Sequence, residues 1–150
     1  MAKARLEKEH ADLMANPPAN CTAGPLGDMD GEWEAIIVGP EESPYAGGIF
    51  NMVIAFPEDY PSQPPKCFFR TKIYHCNVHA NGSPMSKDLL ISKENWKPEV
   101  TVSQVLSDLH DFLKGADPHN AVQPEIAQLL LKDPAKYDAT AREWTSKYAY

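Results

Sequence analysis

Between His75 and Trp96 the chain sets imidazole, thiol, hydroxyl, amine and carboxylate side chains close together. His75, Cys76 and His79 place two imidazoles and a thiol in one short run, all competent zinc donors. A structural zinc site needs a fourth ligand, from His110, His119 or an acid. No second cluster supplies it, so no metal is expected. Ser83 and Ser86 lack the Gly-x-Ser-x-Gly elbow of a hydrolase and stand in a Pro-containing loop, although a triad is set by geometry rather than order. A thiol nucleophile is the third option: Cys76 lies between His75 and Asn77, and an imidazole or oriented amide can lower a thiol pKa or hold an oxyanion. The same cysteine can equally be a small buried apolar residue. These residue types mark a loop suited to chemistry without naming a reaction.

Other elements must hold that loop. "AKARLEKEHADLMAN" reads as a helix with Leu6, His10, Leu13 and Met14 on one stripe, ended by Pro17-Pro18. "GEWEAIIVGP" and "GIFNMVIAFP" alternate with the period of strands, through Trp33, Ala35 and Ile37, then Phe50, Met52, Ile54 and Phe56. The turn-rich "GPEESPYAGG" between them predicts an antiparallel connection. "PEDYPSQPP" is too rich in proline for a helix or a central strand, and "KCFFRTKIY" is a further strand candidate. From about residue 70 to about 100 no regular period appears, and so long a connection in a compact domain is usually functional. After it, "TVSQVLSDLHDFLKG" opens with Thr101 and Gln104 in capping-box spacing. It carries Val102, Val105, Leu106, Leu109, Phe112 and Leu113 on one face and stops near Gly115. Pro124 starts "PEIAQLLLK", and Asp133-Pro134 caps a last helix with Tyr137, Ala141, Trp144 and Tyr148 on its stripe. Helix, strands, then helices make an α+β fold, an antiparallel meander with helices on one face and at the ends.

A length of 150 residues fits one domain, 1–150, and a 43% hydrophobic content fits a globular chain rather than a disordered one. A net charge of −7 argues against non-specific nucleic-acid binding, which needs a basic face. The basic start, Lys3, Arg5 and Lys8, suits either docking of an acidic partner or a solvated helix face. Three cysteines without a C-x-x-C pair, no signal-like segment ahead of the first helix and no apolar run long enough for a membrane span point to reduced thiols in cytoplasm or nucleus.

Whole segments of the chain resemble the ubiquitin-conjugating enzymes (E2), especially the broad-specificity group serving many RING and HECT ligases. "IVGPEESPYAGGIF", "FPEDYPSQPPK", "TKIYHCNVHANGS", "NWKPEVTVSQVL" and "PEIAQLLLKDPAKYDATAREWTSKYA" match in the family order. The resemblance implies the conjugating-enzyme (UBC) fold: an N-terminal helix, a four-stranded antiparallel meander, an active-site loop and C-terminal helices. It implies ubiquitin or a related modifier, an activating enzyme (E1) and RING or HECT ligases (E3) as partners. No cofactor, nucleic acid or membrane is expected.

The resemblance also carries site residues over. The family's His-Pro-Asn is here His75-Cys76-Asn77, with His75 the structural histidine and Asn77 the residue that supports the loop and the oxyanion. The catalytic cysteine is expected at Ser86, beside an acidic Asp88. Counting forward from Asn77 gives Met85 instead, and counting back from Trp96 can give Lys87. No register gives a cysteine. Asn120 stands where the group has an acid that helps the incoming lysine lose its proton. On the ligase face, Arg5, Lys8 and Pro98 match, whereas Ser62 replaces an aromatic anchor and Glu99 an alanine. Such an anchor is worth a few kcal/mol in an interface, so binding to the usual RING partners is expected to weaken. The missing thiol admits three explanations: an altered form of an active enzyme, an inactive E2-like binding module, or Cys76 as replacement nucleophile. A serine would accept ubiquitin slowly, as an oxyester.

Overall fold

The structure, a computed structural model, describes residues 2–29, 31–85, 89–92 and 94–149. Helix α1, Ala2–Ala15, lays Leu6, Glu9 and Leu13 on the core. The expected stripe is corrected at one end, because Met14 is 72% exposed. With 3.6 residues per turn Met14 falls about 80° from Leu6, off the buried face, while Leu13 and Glu9 fall about 20° and about 60° to the other side, on it.

Strands β1 (Cys21–Pro25), β2 (Glu32–Val38), β3 (Ile49–Ala55) and β4 (Lys66–Phe69) form one antiparallel sheet in that order. The register pairs Cys21 with Ile37, Trp33 with Ile54, and Met52 with Phe69. All the predicted inward positions within strands are therefore buried on one face, whereas Phe56 lies past the end of β3 and is only partly covered. Strand β4 is shorter than "KCFFRTKIY" suggests. Past Phe69, the Arg70 and Thr71 amides both turn back to the Asn51 carbonyl, which ends the ladder. Gly39, at the foot of the β2–β3 connection, lies against the Tyr45 carbonyl, where any side chain would overlap backbone.

Helix α2, Val102–Phe112, crosses the buried face of this sheet with Val102, Val105, Leu106 and Leu109 inward. Its capping box forms as expected, Gln104 N–H to the Thr101 hydroxyl at 3.2 Å and Thr101 N–H to the Gln104 side chain at 3.0 Å. The helix stops ahead of Gly115, where Leu113 N–H bonds the His110 carbonyl. Helices α3 (Pro124–Lys132) and α4 (Pro134–Tyr148) pack on each other, with the Asp133 side chain capping α4 through Lys136 N–H. On α4, Tyr137 and Ala141 are buried as expected, while Thr145 rather than Tyr148 completes the inner face. Among the described residues, 70–101 contain neither helix nor strand, only a bridge between Val78 and Pro84.

Candidate active site

The bridge closes a small hairpin running from Asn77 to Met85. Met85 N–H donates to the Asn77 carbonyl at 2.8 Å, and His79 N–H to Ser83 at 2.8 Å. Gly82 forms the turn with φ of +97° and lies against the Phe69 main chain, whose N–H bonds its carbonyl at 2.7 Å. A side chain there would meet both unfavourable φ and the β4 backbone. The hairpin is thus fastened to the sheet at its tip.

Its base is fastened to the segment between α2 and α3. The Asn77 carboxamide accepts from Asp117 N–H at 2.7 Å and donates to the Asp117 carbonyl at 3.0 Å. Val122 and Gln123 N–H groups bond the Cys76 carbonyl, and the Gln123 side chain donates to the Val78 carbonyl at 2.6 Å. Asp117 and Gln123 both precede prolines, which hold the preceding residue out of the helical region and leave its main chain free to pair sideways. The two X-Pro junctions were the signal for these clamps, although nothing local in the sequence names their partners.

His75 is fully buried between the rings of Tyr45 and Phe112, with centroids 5.7 and 4.7 Å away. Its Nδ1 accepts from Asn77 N–H at 3.0 Å. Burial pushes its pKa down to about 4, against smaller opposing effects from the Gly115 and Phe112 backbone. Cys76 is fully buried as well, and its thiol donates to Asn77 Oδ1 at 3.3 Å. Burial raises its pKa, and the Tyr137 hydroxyl only partly offsets this. Cys76 is therefore a small packed residue here, and no activated thiol. His79 is exposed. Among the described residues no three His, Cys, Asp or Glu side chains are placed to share a metal ion.

Beside Asn77 lies a cleft of about 330 Å³ lined by Leu89, Phe112 and the acids Asp108, Asp111 and Asp117. Asp108 accepts from Leu90 N–H at 2.8 Å and so pins the far stem of the loop to α2. A cleft walled by carboxylates favours a cationic group such as an amine. Met85 is half-exposed where the hairpin ends. Ser86, Lys87 and Asp88 lie outside the described residues. Asn120 ends the 3-10 turn Pro118–Asn120, and its side chain is likewise outside them.

The residues expected to face a ligase stand apart from this cleft. Arg5 is drawn inward, donating to Glu9 at 3.1 Å and to the Val100 carbonyl at 3.1 Å. Glu9, 5% exposed, also accepts from Tyr60 at 2.6 Å and from Val102 N–H, the first of α2, at 2.6 Å. Trp96 donates to the Pro61 carbonyl at 2.8 Å. These bonds hold α1, the loop carrying Ser62 and the loop carrying Pro98 and Glu99 together. Lys8, Ser62, Pro98 and Glu99 are all exposed there. Glu9 was missed from sequence because an acid in an apolar stripe reads as solvated.

A family model described as ubiquitin-conjugating enzyme matches residues 5–145. The chain is also similar to the solved E2 domain of a ubiquitin conjugating enzyme from Toxoplasma gondii, at 32% identity over 100% of both chains with a TM-score of 0.90. The four-stranded meander with a helix before it and helices after it fits such a domain, and the chain belongs to the ubiquitin-conjugating enzyme family.

Proposed function

We propose that this chain serves the ubiquitin pathway as a non-covalent binding module and does not carry ubiquitin on a thiol. Membership of the family implies dealings with ubiquitin, an activating enzyme and ligases in general. One observation carries the finer reading: all three cysteines are buried, Cys21 and Cys67 at 3% exposure and Cys76 at 0%. Burial pushes Cys21 up to about 11 and Cys67 up to about 12, and raises Cys76 as well. Transthiolation needs an accessible thiolate, and none of these supplies one.

The hairpin also favours one register for the missing nucleophile. Met85 ends it directly against Asn77, which supports Met85, rather than Ser86 or Lys87, as occupant of the place where the family keeps its thiol. A thioether can neither ionise nor accept an acyl group. A second reading, a transferase from which only the thiol is missing, draws support from the fully formed Asn77 hairpin.

A charging assay tests both. With activating enzyme, ATP and ubiquitin, the chain is expected to give no adduct on gels run with or without reductant. A reductant-sensitive adduct would overturn the binding-module reading and implicate Cys76. An alkali-labile adduct resistant to thiol would identify Ser86. Charging by Met85→Cys but not by Ser86→Cys is the outcome expected of the proposed register.

A further inference from the structure

Three segments distant in the chain meet at the C-terminal end of α4. Ile49 N–H, at the start of β3, donates to the Ala149 carbonyl at 2.8 Å and ties the end of the helix to the sheet. Asn51 N–H donates to the Thr71 hydroxyl at 2.9 Å, while the Arg70 and Thr71 amides bond the Asn51 carbonyl. The chain leaving β4 is thereby tied to the same strand. On this junction two large apolar side chains stay open to solvent, Tyr148 at 37% and Ile49 at 41% exposure. Trp144, one turn back on α4, stands edge-on to the Tyr148 ring at 5.5 Å between centroids and lies 5.4 Å from Tyr74. The open ring is therefore backed by a row of aromatics rather than left loose.

The same ring collects positive charge. Lys72 Nζ lies 5.0 Å and Lys147 Nζ 5.4 Å from the Tyr148 centroid, both within cation–π range. Among the described residues neither ammonium pairs with a carboxylate. The ion pairs there belong to other bases, and Glu143, one turn before Lys147 on α4, makes none with it. A ring face attracts an ammonium but uses little of its hydrogen-bonding capacity, so the N–H donors of both lysines stay open to an incoming acceptor. Arg70, exposed just before Lys72, adds a third cation along that segment. A polyanion needs a broad basic face, and the net charge of −7 opposes one. Two ammoniums about one open ring suit instead one or two carboxylates beside an apolar side chain.

We propose that the end of α4, with Ile49 and Lys72, docks a short acidic segment of a partner protein, its carboxylates on Lys72 and Lys147 and an apolar side chain on Tyr148 and Ile49. The surface uses no residue of the Asn77 hairpin, so its role is independent of whether the chain carries ubiquitin. The capped pentapeptide Asp-Glu-Phe-Asp-Glu is the probe. Titrated into 15N-labelled protein at low salt, it is expected to shift the amides of Ile49, Lys72, Tyr148 and Ala149 and the Trp144 indole N–H saturably, with Kd on the order of 0.5 mM. The uncharged counterpart Asn-Gln-Phe-Asn-Gln is expected to bind about fivefold more weakly, and so is the acidic peptide in about 0.5 M salt. Lys72→Gln combined with Lys147→Gln leaves every hydrogen bond of the junction in place. It is expected to weaken the acidic peptide by the same factor while the protein melts as before. Equal binding of the two peptides, an unaltered Kd in the double variant, or shifts centred on Lys3, Arg5 and Lys8 of α1 would each overturn the proposal. Sedimentation with phosphatidylserine vesicles without any peptide shifts would overturn it in favour of a membrane contact.

Discussion

The side chain of Asn77 and the main chain of Asp117, forty residues apart, pair at two points, 2.7 and 3.0 Å long. One carboxamide thereby joins two segments that share no strand ladder with each other. The same Oδ1 also receives the Cys76 thiol. Asn77 is consequently the joint between the hairpin and the α2–α3 connection, and its orientation is set by structure before any chemistry is asked of it.

Asn77→Ala should therefore cost stability whatever the chain's activity. The substitution leaves the Asp117 N–H and carbonyl without these partners inside a largely buried joint. Three hydrogen bonds at the usual net value amount to about 3 kcal/mol, or a drop of about 6–12 °C in Tm for a chain of this size. Urea and thermal unfolding measure it, and a loss below about 1 kcal/mol would remove the joint's structural role.

Thiol chemistry should follow burial. In native protein at pH 8, a chromogenic disulfide reagent is expected to label Cys21, Cys67 and Cys76 only at the rate of unfolding, and all three at once in urea. Met85→Cys should add a single fast-reacting thiol. Rapid labelling of Cys76 in the unsubstituted protein would show that the burial of the His75-Cys76-Asn77 segment is wrong.

Local features were legible in the sequence and sideways ones were not. The Thr101–Gln104 cap and the alternation of Trp33, Ala35 and Ile37 depend on neighbours a few residues away, and both stand as expected. Strand β1 has Gly24 and Pro25, poor strand formers, and exists because an edge strand tolerates them while β2 supplies the ladder. Residue-level reading of that segment gave no strand; only the family resemblance implied one. The Glu9 cluster and the Asn77–Asp117 pair join residues far apart in the chain, so no period or spacing announces them. Counting forward from Asn77 reaches Met85 in the sequence, whereas the hairpin closure between Val78 and Pro84 that sets Met85 N–H on the Asn77 carbonyl is not visible in composition.

Glu9→Gln should loosen the junction of α1 with α2 without touching the Asn77 hairpin. The carboxylate accepts from Arg5, Tyr60 and Val102 N–H, and an amide offers one acceptor and directs its N–H₂ at a donor. A cost of about 2–3 kcal/mol is expected, against about 1 kcal/mol for Tyr60→Phe, which removes a single donor. Equal effects for the two variants in urea unfolding would mean that Glu9 does not cap α2.

The pH dependence of stability tests the His75 sandwich. Its folded pKa of about 4 lies below the ordinary 6.5, so between those values the unfolded chain binds a proton that the native chain refuses. Stability from this group is fully present above pH 6.5, falls as the pH drops toward 4, and changes no further below that. The full loss is about 3 kcal/mol at 1.36 kcal/mol per pKa unit. Carboxylates also titrate in this window, so the comparison is with His75→Gln, whose side-chain oxygen can still accept from Asn77 N–H. The difference in urea midpoints between the two proteins is expected to shrink as pH falls from 7 to 4. In NMR, the His75 ring protons should hold their neutral shifts down to about pH 5. A ring that titrates near its ordinary value would mean that the imidazole is solvated, and that the stack between Tyr45 and Phe112 does not describe the protein in solution.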